Sequence, residues 1–124
     1  MTLDLPKEYI LYDTEYTSWV DDRLKIPREP WQHKEIIQIG ALYVVGLEEQ
    51  ESFEVIVKPS RNPQLSEYIQ ELTGITQNQV DKGLSFEQAV NDLFVFSRGL
   101  PMYAYGTDAE VMRENCELVK IAFP

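Results

Sequence analysis

The clearest pattern lies near the start of the chain. Tyr9 to Glu15 opens on the aromatic and β-branched run Ile10-Leu11-Tyr12 and stops abruptly at Asp13 and Glu15, which predicts a buried strand with carboxylates at its C-terminal end. Thr17 to Lys34 has no clean period and holds Pro27, Pro30, Trp19, Trp31 and several charges, so it reads as a long loop, a kind that is often functional in compact domains. Ile36 to Val45 is almost continuously apolar, with Gly40 in its middle, and Ser52 to Val57 alternates. The polar turn Gly46 to Gln50 between them predicts an antiparallel hairpin.

Helix signals follow. Pro59, Asn62 and Pro63 break the chain before Ser66, a cap for a short helix with Tyr68, Ile69 and Leu72 on one side and Gly74 as its stop. Thr76 with Gln79, Ser85 with Gln88 and Thr107 with Glu110 each have capping-box spacing. Behind Ser85, the residues Phe86, Ala89, Val90, Leu93 and Phe94 recur with helical period and form one apolar face. Gly99 and Pro101 end that helix. Met102 to Tyr105 is then a short apolar strand running through Gly106 into a last helix with Asp108 at its start and Ala109, Met112, Cys116 and Val119 on one face. Strand, hairpin, helices, strand, helix is the order of a mixed α/β sheet with flanking helices, and without repeats or linkers residues 1–124 read as one domain.

Composition narrows the function. Against 11 lysines and arginines stand 21 aspartates and glutamates, a net charge of −10, so no surface that coats nucleic acid or membrane generally is expected. The lone cysteine, Cys116, excludes a disulfide framework and fits a reducing compartment, with a cytoplasmic location as the default. No signal-peptide pattern and no run of roughly 18 apolar residues point to export or a membrane. One histidine, His33, excludes a His-rich metal site.

Residues two apart on a strand share a face, so Asp13 and Glu15 can aim two carboxylates at one point. They repel each other, and a hard divalent cation such as magnesium or manganese is a natural countercharge. A strand that has simply reached solvent would look the same. Asp108 follows the other short strand, at a helix start where a carboxylate is favoured by the dipole in any case. Both strands nevertheless end in acids, where ligands of α/β sheets collect.

Several segments in order carry a family resemblance. Tyr9 to Trp19, with Asp13-Thr14-Glu15, resembles the first motif of the DEDD 3′-5′ exonuclease superfamily, of the ribonuclease T and polymerase proofreading-subunit type. Glu35 to Ala41 is similar to the family's second strand, Leu72-Thr73-Gly74-Ile75-Thr76 to its Leu-Thr-Gly-Ile-Thr segment, Ser85 to Ala89 to the helix that follows, and Tyr105-Gly106-Thr107-Asp108 to its second motif. Over about residues 9 to 120 the likeness is greatest to the histone-mRNA-exonuclease-like branch and its bacterial relatives.

The resemblance implies a ribonuclease H-like fold and two divalent metal ions, Mg2+ or Mn2+, with Asp13, Glu15 and Asp108 as metal-binding catalytic residues. The reaction it implies is hydrolysis of the 3′-terminal phosphodiester of single-stranded nucleic acid, RNA more than DNA, to nucleoside 5′-monophosphates. The family's third motif, a histidine general base with a fourth acid five residues on, lies downstream of the helix that here ends near Lys120. The fold is therefore expected to lack its C-terminal part, leaving three acids of four and no base. His33 lies between the first two strands and reads as an exposed loop residue. A positioned base contributes about 10² to 10⁴-fold in rate, so weak hydrolysis is expected from these 124 residues.

Four of the eleven basic residues, Arg23, Lys25, Arg28 and Lys34, fall in the loop after the first motif, where they can hold phosphates or simply be solvated. Trp19 and Trp31 can stack on a base or pack the loop. Thr14, Tyr16, Trp19, Arg23, Lys25 and Arg28 are the candidate substrate contacts. Core surface left uncovered at the C-terminal side could drive self-association. Two rival readings stand beside the enzyme: a non-catalytic, degenerate nuclease domain serving as a binding or interaction module, and a magnesium-dependent phosphohydrolase of small nucleotides.

Overall fold

The structure, a computed structural model, describes residues 6–104 and 106–122. Strands β1 (Glu8–Tyr16), β2 (Ile36–Val45) and β3 (Glu48–Ile56) form an antiparallel meander, and β4 (Met102–Ala104) adds parallel to β1, giving the order β3-β2-β1-β4. The helices are α1 (Val20–Arg23), α2 (Glu67–Thr73), α3 (Gln77–Asp81), α4 (Phe86–Ser97) and α5 (Asp108–Leu118). This mixed sheet with flanking helices is consistent with the ribonuclease H-like architecture implied above. The last residue of the expected fourth strand, Tyr105, lies outside the described residues.

Two apolar clusters hold the frame. One face of the sheet, through Ile10, Tyr12, Ile39 and Ala41, packs against Ala89, Val90 and Leu93 of α4 and Val111, Met112 and Cys116 of α5. Ile37, Leu65, Ile69, Ile75 and Val80 make the second cluster under α2 and α3. Ile37 reaches it because a bulge between Glu15 and Tyr16 shifts their partners from Gln38 to Ile36 and leaves Ile37 unpaired between them. The bulge sits at the C-terminal end of β1, directly beside Glu15.

Caps decide the helix starts. Ser66 Oγ accepts from Ile69 N–H at 3.1 Å, Thr76 Oγ1 from Gln79 N–H at 3.2 Å and Ser85 Oγ from Gln88 N–H at 3.2 Å, as the spacing predicts. Gly74, at φ 78°, closes α2 with its N–H on Gln70 O. Thr107 makes no side-chain cap, contrary to its capping-box spacing with Glu110.

Three other expectations need correction. The loop after β1 contains α1, started by the Asp22 carboxylate accepting from Trp19 N–H at 2.8 Å. The hairpin turn is two residues, Gly46 and Leu47 at φ 55° and 72°, so β3 begins four residues earlier than the alternation of Ser52 to Val57 suggests. Leu72, expected on the buried side of α2, is 64% exposed and faces a cleft.

Candidate functional site

Parallel pairing of Tyr12 with Ala104 brings the C-terminal ends of β1 and β4 side by side. The acids at the end of β1 and the acid that follows β4 therefore lie at one end of the sheet. Thr14 points to the helical side, where its hydroxyl donates to Asp108 Oδ1 at 3.0 Å. Asp13 and Glu15 share the opposite face of β1. Asp13 stands in a shallow trough on the open sheet face, floored by Leu11, Gly40 and Leu42 and edged by Ser52 and Glu54. Glu15 lines a neighbouring cleft of about 600 Å³ with Tyr16, Ser18, Arg23, Arg28, Lys34, Tyr68 and Leu72.

The carboxylates repel one another. Burial, then Asp108 and Glu54, push the Asp13 carboxyl above its ordinary value, against a backbone hydrogen bond that lowers it. Burial, then Asp13 and Asp108, push Glu15 up as well. The Tyr12 phenol is raised to about 12 by burial and by Asp108, so it stays neutral. Carboxylate oxygens under mutual repulsion are the donor chemistry a hard divalent cation prefers. The set is nonetheless open, because among the described residues no three Asp, Glu, His or Cys side chains gather closely enough to hold a metal ion. Asp108 is turned to Thr14 instead.

The long loop is clasped at its base. Thr17 N–H donates to Glu35 O at 2.8 Å, its hydroxyl donates to His33 O at 2.5 Å, and Glu35 N–H donates back to Thr17 Oγ1 at 3.0 Å. The buried Glu35 carboxylate then accepts from the backbone N–H groups of Ser60 and Arg61 at 2.9 Å, and also from that of Asn62. From α5, buried Asn115 accepts from Ile36 N–H at 3.0 Å and donates to Lys34 O at 2.7 Å and Val111 O at 2.8 Å. Ser66, while capping α2, donates to Ser18 O at 2.6 Å and so fixes one wall of the cleft. His33 is half-buried in this clasp rather than exposed.

The expected substrate contacts separate into groups. Arg28 pairs bidentately with Asp22 at 3.0 and 3.1 Å, donates to Thr17 O and lies 5.1 Å from the centre of the Trp19 ring, so it organises the loop while lining the cleft. Trp19 meets Trp31 edge-on at 5.5 Å. Arg23 and Lys34 line the cleft with exposed side chains, and Lys34 Nζ sits 5.9 Å from the Tyr16 ring. Lys25, exposed at φ 59°, is not on the cleft wall, and Thr14 is buried against Asp108. The sequence reading did not single out Ser18, Tyr68 or Glu54 for the site. Tyr68 and Leu72, four apart on α2, were legible as a pair, but their pattern predicts a core face rather than a cleft wall.

A sequence profile described as Exonuclease, of the RNase T type, matches residues 10–124. The chain is 31% identical over 93 residues to the probable 3′-5′ exonuclease KapD of Bacillus subtilis (strain 168), covering 73% of this chain and 45% of that protein. It is 41% identical over 66 residues to the 3′-5′ exonuclease eri1 of Schizosaccharomyces pombe, covering 52% of this chain and 22% of that protein. The chain thus spans less than half the length of these curated relatives. Among solved structures, the nuclease domain of 3′hExo, a DEDDh family member bound to rAMP, superposes with a TM-score of 0.80 at 25% identity, over 95% of this chain and 62% of that one. With its motifs in family order on a matching fold, the chain belongs to the RNase T-type exonuclease family, in the DEDDh group related to the histone-mRNA exonuclease branch.

Proposed function

We propose that these 124 residues act as a binding module on a 3′-5′ exonuclease scaffold, holding the 3′ end of single-stranded nucleic acid beside a divalent cation and hydrolysing it weakly or not at all. The observation that carries this reading is the open donor set: Asp13 and Glu15 repel each other and Asp108, yet no three donors gather among the described residues. In this reading Asp13 and Glu15 hold magnesium or manganese, whose charge offsets that repulsion and, in the family, serves phosphodiester hydrolysis. Asp108, oriented by Thr14, bears on the same end of the sheet. Arg23 and Lys34, with exposed side chains in the cleft that also contains Glu15, supply positive charge for phosphates on an otherwise acidic protein. RNA is favoured over DNA because the solved nuclease domain that this chain resembles binds rAMP.

A second reading, two-metal hydrolysis to nucleoside 5′-monophosphates, is favoured by family membership and by the meeting of Asp13, Glu15 and Asp108 at one sheet end. It needs a general base, and the one histidine of these residues, His33, has its backbone clasped between Thr17 and Asn62. Fluorescence anisotropy of 5′-labelled single-stranded RNA and DNA, with and without Mn2+, tests the binding reading. Metal-dependent binding, tighter for RNA and lost in Asp13→Ala and Glu15→Ala, is expected. Binding that ignores the metal and both substitutions would contradict it.

A further inference from the structure

Gly40 sits in the middle of β2, the central apolar strand, where a glycine weakens the sheet and has no side chain to pack. Its backbone is ordinary for a strand, outside the left-handed region that favours glycine, so no turn or bulge explains it. The β1–β2 register pairs it directly with Asp13. A Cβ on Gly40 would stand 2.8 Å from Asp13 Oδ1 and 3.9 Å from its Cγ, with nothing else within 4 Å. Glycine marks places where another group comes close, and here the group is the end of one carboxylate.

We infer that Gly40 is a positioning residue: the room left by its missing side chain is where the Asp13 carboxylate stands. The neighbours make that room specific. Glu54, paired with Gly40 across β3, and Asp108 both repel Asp13, so neither holds it by attraction. A backbone hydrogen bond favours the charged carboxylate, and the space over Gly40 is what lets it stand where it does. Because the only atoms in the way belong to a rotatable side chain, a methyl group at residue 40 displaces the carboxylate and leaves the strand intact. The functional consequence rests on the reading that Asp13 is a metal ligand; the steric one does not.

Gly40→Ala, made in the full 124-residue chain, tests it with two readouts. NMR scalar couplings across Asp13 Cα–Cβ report its χ1 without metal, and Mn2+ titration reports affinity. The expected result is a changed Asp13 rotamer with near-parental thermal stability and Mn2+ affinity reduced about tenfold, the scale on which residues that orient ligands act. Unchanged couplings overturn the inference whatever the metal does. If the parent protein binds no Mn2+, the metal reading of the site fails, while the couplings still decide what Gly40 does. Should Gly40→Ala destabilise the protein, Asp13→Ala with Gly40→Ala settles the cause. A clash with the carboxylate predicts that the double variant regains the stability of Asp13→Ala alone; no recovery overturns the inference.

Discussion

Asp13 and Glu15 carry charge that the fold resists. Both carboxyls are raised, first by burial and then by Asp108 and Glu54 at Asp13 and by Asp13 and Asp108 at Glu15, so the folded state binds protons more tightly than the unfolded chain over the pH range just above ordinary carboxylate values. The folded protein then loses stability as pH rises through the raised values, and the full benefit is present only below the ordinary ones. Asp13→Asn is therefore expected to raise Tm at neutral pH by about 1–3 °C and to leave it nearly unchanged at pH 3, measured by thermal unfolding across pH. A variant less stable at neutral pH would contradict the repulsion. Both acids were legible in the sequence because an apolar strand ends on them. Thr14 was legible only by position: its reading as a substrate contact gives no hint that its hydroxyl would meet Asp108, 94 residues away.

Elements were readable where a local rule governs them. Caps at Ser66, Thr76 and Ser85 act within three residues, so spacing suffices. β1 follows from its apolar, β-branched run and the face of α4 from its helical period. Where a long-range contact decides, the reading fails. Leu72 lines a cleft that the loop after β1 completes. Asn115 is the sharpest case, a polar residue on the buried side of α5 that no periodicity explains until its three hydrogen bonds to β2, Lys34 and Val111 are seen. Asn115→Leu leaves the buried Ile36 N–H unpaired, and denaturant unfolding is expected to show a loss of about 2–4 kcal/mol, with the long loop loosened first. An effect under 0.5 kcal/mol would mean that α5 does not anchor the base of that loop.

On the scale of the molecule, the acidic total of −10 and the family membership pull in opposite directions. The cleft reconciles them, since Arg23 and Lys34 concentrate positive charge beside Glu15 while β3 leaves its edge to Glu48, Glu49, Glu51 and Glu54. In the proposed reading this cleft admits nucleic acid while the acidic edge repels it elsewhere. Among the described residues Asp13, Glu15 and Asp108 leave the donor set open, and in the proposed reading this separates holding a strand from cutting it. The most direct test is a time course of 5′-labelled single-stranded RNA with the 124-residue chain and Mn2+, run beside Asp13→Ala. The account predicts RNA that stays intact, or shortens only marginally, in both. A ladder shortening rapidly from the 3′ end and abolished by the substitution would contradict it, and would make these residues a complete exonuclease.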